Sequence, residues 1–164
     1  MLLDKEYALD RSHSSQVVSS ENHNRHILKN DVNAVIYQYR IDGNKANNSP
    51  KPVFLSGTSK KRCDFASEVV VSDKETRLHL IELKGSDLKE AIFQIESTIE
   101  TFKNDNKIFG RFRLDMYEIY PRVVIHRVNT HALNDSVTRR IKSRFPRFVV
   151  KERILEESVS KPVK

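Results

Sequence analysis

The sequence predicts an α/β fold built on a central mixed β-sheet of four to five strands flanked by helices. Three observations predict it. Val32 to Ile41, Arg62 to Val71 and Arg77 to Lys84 are runs rich in β-branched and aromatic residues, the composition of strands. Leu88, Ala91, Ile92, Ile95, Ile99 and Phe102 recur at helical spacing directly after the third run. A further strand-like run, Tyr117 to Val128, then precedes a basic helical stretch. The 164 residues suffice for one core, so residues 1–164 are expected to form a single domain.

The order of elements follows along the chain. Residues 1–30 are polar, with one short helix expected around Tyr7 to Val18. Asp42-Gly43 closes the first strand, and Lys45 to Pro52 is loop by its Asn, Ser and Pro content. Ser72 to Thr76 is a short polar hairpin connection. The strand Arg77 to Lys84 is apolar up to its charged end, as in a strand buried on both faces in mid-sheet. Gly85 or Ser86 opens the amphipathic helix, with Asp87 and Glu90 placed to favour its dipole. Pro121 suggests an edge or a bulge in the next strand. Ala132 to Arg144 reads as one basic helix, Phe148 to Lys151 as a last short strand, and residues 154–164 as a flexible tail.

Composition narrows the function classes. Hydrophobic residues are 38% and charged residues 31%, ordinary for a soluble domain. No apolar run approaches the roughly 20 residues that span a bilayer, and acids follow the first leucines, so no signal peptide is read there. The single Cys63 forms no internal disulfide, which fits a reducing, intracellular and cytoplasmic setting. There is no glycine-rich phosphate loop, no nucleophile elbow and no zinc-finger spacing. His126 reads as a packed or surface histidine rather than a base.

Charge is unevenly spread. Met1 to Asn106 carries 15 basic and 16 acidic residues, whereas Lys107 to Arg153 carries 12 basic and 4 acidic. Within that basic third, Arg139, Arg140, Lys142, Arg144 and Arg147 form a cluster suited to a phosphate backbone, or else a merely solvated face. Phe145 and Phe148 beside it read as core.

The chemistry is expected at Asp64, Glu82 and Lys84. Side chains alternate along a strand, so Glu82 and Lys84 share a face. A hairpin turn at Asp73 or Lys74 makes paired residue numbers sum to about 147–149, which sets Asp64 opposite residue 83, 84 or 85. Two carboxylates and an ammonium then meet at the end of an apolar hairpin. Burying them costs several kcal/mol per ion, roughly, unless each finds a partner. Mg²⁺ meets that need, because it prefers oxygen ligands and keeps water and substrate phosphate in its shell. The alternative is a structural salt bridge between Lys84 and the acids.

Asp64, a gap holding a hairpin, and Glu82-Leu83-Lys84 between an apolar strand and a helix resemble the motif of the PD-(D/E)XK nuclease superfamily. The resemblance spans about residues 15–150 and implies an αβββαβ restriction-endonuclease-like core. It implies that Asp64 and Glu82, with the Leu83 carbonyl, hold Mg²⁺ or Mn²⁺, and that Lys84 is the catalytic lysine. Cys63 stands where the motif's name has proline, and Thr98 stands where some branches carry a tyrosine four residues after a Gln such as Gln94. An acid from the first helix is common in the superfamily, and Glu21 and Glu6 are its candidates here. Gln94 lies off the apolar stripe and faces either the site or solvent. Glu68 shares the strand face of Asp64, and is read as a surface acid before a further ligand. The expected function is Mg²⁺-dependent hydrolysis of nucleic acid, DNA first, with a homodimer or partner protein supplying further surface. The alternative is an inactive nucleic-acid- or protein-binding module on the same fold.

Overall fold

The computed structural model describes residues 7–43, 51–55, 60–104 and 116–163. Glu6 and most of the Lys45 to Pro52 loop lie outside them. The chain is mixed α/β, with a six-stranded mixed sheet, a three-stranded sheet, a two-stranded pair and three helices among the described residues.

The six-stranded sheet has the order β1 (Ala8–Asp10), β4 (Val35–Arg40), β7 (Phe65–Ser72), β8 (Glu75–Lys84), β9 (Glu118–Ile125) and β10 (Val149–Glu152). Its first four strands pair antiparallel, and β8, β9 and β10 run parallel. The second sheet joins β11 (Ile154–Ser158), β3 (Asn24–Lys29) and β2 (Gln16–Glu21) in that order, and β5 (Asp42–Gly43) pairs β6 (Phe54–Leu55). The helices are α1 (Leu88–Asn104), α2 (Thr130–Leu133) and α3 (Ser136–Arg144). None is long and apolar enough to cross a membrane.

Alternation along β8 divides the molecule into layers. Leu78 and Leu80 face α1, where they join Leu88, Ala91, Ile92, Ile95, Ile99, Phe102 and the Ile141 of α3 in the main core. Ile81 and Leu83 face the other way and pack with Val124, Val149 and Leu155 under the second sheet. Strand β8 is thus apolar on both faces because helices cover one and a sheet covers the other. Asp87 caps α1, its carboxylate accepting from Glu90 N at 2.9 Å.

Several expectations are corrected. Tyr7 to Val18 is not a helix: β1 and the start of β2 occupy it, and Asp10 accepts from Ser12 N at 2.8 Å, a local bond that competes with helix. The sheet has six strands rather than four or five, and helices cover one face only. Ala132 to Arg144 is broken, since Asp135 starts a new helix by accepting from Val137 N at 2.9 Å. Pro121 marks no sheet edge; β9 is interior, and its β10 ladder begins at the next residue, Arg122. Residues 154–164 are no flexible tail over their described part, because β11 pairs parallel with β3 and buries Leu155 and Val159.

The hairpin register also differs from expectation. Ser72 pairs Glu75 around Asp73-Lys74, as the turn residues suggest, but a bulge at Val71 then shifts the ladder. Phe65 pairs Ile81, so the next step sets Asp64 beside Glu82 rather than residue 83, 84 or 85. Parity is preserved on the face that matters, since cross-strand partners share a face.

The two sheets are tied by ions as well as by apolar contact. Glu157 of β11 accepts from Arg122 of β9 at 2.7 and 2.8 Å through both oxygens, and from His26 of β3 at 2.8 Å. His79 Nδ1 lies 3.2 Å from the same carboxylate, and the His79 ring stacks on Tyr120 at 4.8 Å. Burial alone would raise the Glu157 pKa, but bonds from His26, His79 and Arg122 outweigh it and hold the carboxyl far below the usual range. Burial lowers the pKa of both histidines, His79 to about 4, so the cluster is one anion, one cation and two neutral rings at neutral pH. Replacing Glu157 by Gln leaves Arg122 charged and buried without a counter-ion, which typically costs about 3–5 kcal/mol. Glu157→Gln is expected to lower the chemical-denaturation midpoint accordingly, and an unchanged midpoint would show that the clip adds nothing.

Candidate functional site

The site begins with backbone placement. Ile41 N donates to Asp64 O at 2.8 Å, fixing the entry to β7 against the end of β4. Gln94 Nε2 donates to Arg62 O at 3.0 Å, and Thr98 Oγ1 accepts from Cys63 N at 2.8 Å. Two side chains of α1 therefore hold the residues that lead into Asp64. Thr98 thus pins the backbone at Cys63, directly before Asp64.

Asp64, Glu82, Lys84 and Glu21 come together. Asp64 Oδ2 accepts from Leu83 N at 2.8 Å, continuing the ladder past the last paired residues. Glu82 is 1% exposed, and its Oε2 is buried with no hydrogen-bond partner among the described residues. Burial raises the Asp64 pKa first, and the charge of Glu21 raises it further. Burial likewise raises the Glu82 pKa, followed by the charge of Asp64, with Lys84 opposing. Asp64 and Glu82 share a space too dry to let both ionise unaided.

Lys84 sits at the open side of this group. Its Nζ donates to Gln94 Oε1 at 3.0 Å and lies 3.1 Å from Glu90 Oε2. Lys61 also contacts Glu90. Gln94 is buried and faces the site rather than solvent, so one amide joins the backbone before Asp64 to the Lys84 ammonium.

Glu21 arrives from an unexpected element. It ends β2, not a helix, and the β2–β3 turn is the two-residue Asn22-His23 with φ of 47° and 67°. Such left-handed pairs match the twist of a tight hairpin. The turn sets Glu21 opposite Asn24, and Asn24 Nδ2 donates to Lys84 O at 2.8 Å. The hairpin therefore grips the end of β8 while presenting Glu21 to Asp64. Asn24 is a contributor that no sequence spacing marks, because it reaches Lys84 across 60 residues, and Glu90 joins Lys84 from the first turn of α1.

Other candidates lie elsewhere. Glu68 is not a surface acid: it is 2% exposed and accepts from Tyr39 and Tyr117 hydroxyls at 2.7 and 3.0 Å in the main core. The Leu83 side chain packs under the second sheet, leaving only its backbone at the site. His126 is exposed. Arg140, Arg144 and Arg147 pair with Glu96, Glu100 and Glu118 at 2.7, 3.4 and 2.9 Å, so much of the basic cluster is already neutralised. Arg139 and Lys142 are exposed beside them.

His26, His79 and Glu157 also offer metal-ligand atoms, all within 4.8 Å of one another. Arg122 occupies both Glu157 oxygens there, so a dication would face a buried guanidinium. That cluster suits a structural clip. Asp64, Glu82 and Glu21 offer oxygen donors, one of them an orphaned acceptor, of the hard kind that Mg²⁺ or Mn²⁺ prefers.

No protein-family model, no curated protein and no solved structure matches this chain.

The pH dependence of the metal-free protein follows from the raised carboxyls. Asp64 and Glu82 hold protons in the folded state at pH values where the unfolded chain has released them. Their contribution is therefore full in acid and is lost as pH rises through their raised values. Asp64→Asn removes one ionisation, so its melting temperature relative to wild type in EDTA should climb between pH 5 and pH 8. A constant difference across that range would show that Asp64 is not under this strain. Added Mg²⁺ should stabilise the wild type more than the variant.

Proposed function

We propose that this chain is a metal-dependent nuclease of the PD-(D/E)XK type that hydrolyses phosphodiester bonds, most naturally those of DNA. The observation that carries the reading is the meeting of buried Glu82 with half-buried Asp64 and Glu21, with Glu82 Oε2 unpartnered and Lys84 alongside. A cluster of acids that burial drives toward protonation is unfavourable for folding, and a divalent cation converts it into a ligand set.

Asp64, Glu82 and Glu21 are the side chains that would hold Mg²⁺ or Mn²⁺. When bound, the ion supplies Lewis acidity toward a phosphoryl oxygen and lowers the pKa of a water. The rest belongs to the chain. The Leu83 amide fixes one Asp64 oxygen. Gln94 and Glu90 hold the Lys84 ammonium at the edge of the acids, where it neutralises charge that develops on the scissile phosphate. A preorganised cation of this kind needs little rearrangement during reaction.

One observation favours the second reading, a binding module without cleavage: Lys84 is already engaged by Glu90 and Gln94, as a structural lysine would be. Incubation with supercoiled, linear, single-stranded and branched DNA and with RNA, each with Mg²⁺, Mn²⁺ or EDTA, separates the two. Metal-dependent cleavage is expected, and Glu82→Ala or Lys84→Ala should reduce it by at least about a hundredfold with the far-ultraviolet spectrum unchanged. Normal turnover by either variant would remove the mechanism.

A further inference from the structure

Strands β8, β9 and β10 run parallel and end level, because Lys84 pairs Ile125 and Ile125 pairs Glu152. Their carboxyl ends therefore share one rim, the usual place for a ligand in an open α/β sheet. The proposed catalytic group lies on this rim, since it includes Lys84.

Three arginines stand just beyond it. Arg127 follows β9 by two residues, Arg153 follows β10, and Arg25 is the second residue of β3, opposite the first residue of β11. Backbone bonds bring them to one place: Arg153 N donates to Ile125 O at 2.8 Å, and Arg25 N donates to Arg153 O at 2.8 Å. The same patch reaches the site through Asn24, next to Arg25, which bonds the Lys84 carbonyl at 2.8 Å. All three arginines are exposed, and none forms an ion pair among the described residues. Arg153 keeps a long cationic side chain at φ 58°, a backbone conformation that ordinarily selects Gly or Asn. The acid among them, Glu152, spends an oxygen on the Val128 amide at 2.7 Å. On α3, by contrast, Arg140 and Arg144 are paired with the acids of α1, which leaves only Arg139 and Lys142 of its basic residues outside an ion pair among the described residues.

We infer that a nucleic-acid phosphate backbone docks on the rim formed by Arg25, Arg127 and Arg153, and not on the basic face of α3. The inference rests on the nuclease reading for its choice of ligand. Unpaired guanidiniums around a buried acid cluster offset its repulsion of a polyanion, and they would lead the backbone across Lys84.

Fluorescence anisotropy of a short labelled DNA duplex, measured over a salt series with Ca²⁺ present, tests it. The Arg25→Gln/Arg127→Gln/Arg153→Asn variant is expected to bind at least about tenfold more weakly, with a salt slope reduced by about three, since each lost phosphate contact removes roughly 0.9 from the slope. Arg139→Gln/Lys142→Gln should change neither. If the Arg153 change disturbs the fold, the Arg25→Gln/Arg127→Gln pair carries the test, with a slope loss of about two. Unchanged affinity in the rim variants, or a loss confined to the α3 variant, overturns the inference even if the wild type cleaves DNA. Rim-dependent binding by a wild type that cleaves nothing with Mg²⁺ upholds the rim and sinks the nuclease reading.

Discussion

The bidentate bond between Arg122 and Glu157 is the contact on which the arrangement of layers depends. Arg122 projects from the six-stranded sheet and Glu157 from the second sheet, and both are fully enclosed. Neither charge tolerates burial alone, so the two sheets either meet in this register or leave ions stranded in an apolar layer. His26 and His79 complete the shell from β3 and β8, one from each sheet. Apolar residues around them supply area, while the ion pair, with the Asn24–Lys84 and Gln38–Val18 bonds, adds direction to how the strands lie over one another.

The consequence reaches the candidate site through β3. Fixing His26 fixes the strand that begins at Asn24, and the tight Asn22-His23 turn then has little freedom over where Glu21 points. On the opposite side of the sheet, α1 does the equivalent task through Gln94 and Thr98, which hold the approach to Asp64. The acids are thus set by two layers acting on the same strand ends, with Glu82 enclosed between them. Positioning from regular elements rather than loops suits a group whose geometry must be held closely.

Much of this was legible in the residues. The run Arg77 to Lys84, the stripe from Leu88 to Phe102 and the pairing of Asp64 with Glu82 and Lys84 are local patterns, and local patterns survive into the fold. The missed parts share a cause: each depends on contacts remote in sequence. Ser-rich residues 12–20 look like coil or weak helix until β3 pairs with them, and residues 154–159 look polar because Glu156 and Ser158 alternate with buried Leu155 and Glu157. His26 and His79 show no ligand spacing because their common partner is far along the chain. Glu21 was visible as an acid, but its element was misread. The register differed by the Val71 bulge, which no turn rule anticipates.

The pairing of β3 with β11 also has a temporal side. His26 and Glu157 are 131 residues apart, and closing so long a loop is slow compared with forming the β7–β8 hairpin or α1. On a ribosome, Asp64, Glu82, Lys84 and Gln94 can assemble while Glu157 is still unmade. The hairpin that carries Glu21 gains its His26–Glu157 contact only when β11 emerges. The support that β11 gives this hairpin therefore arrives after the β7–β8 hairpin and α1 have been made.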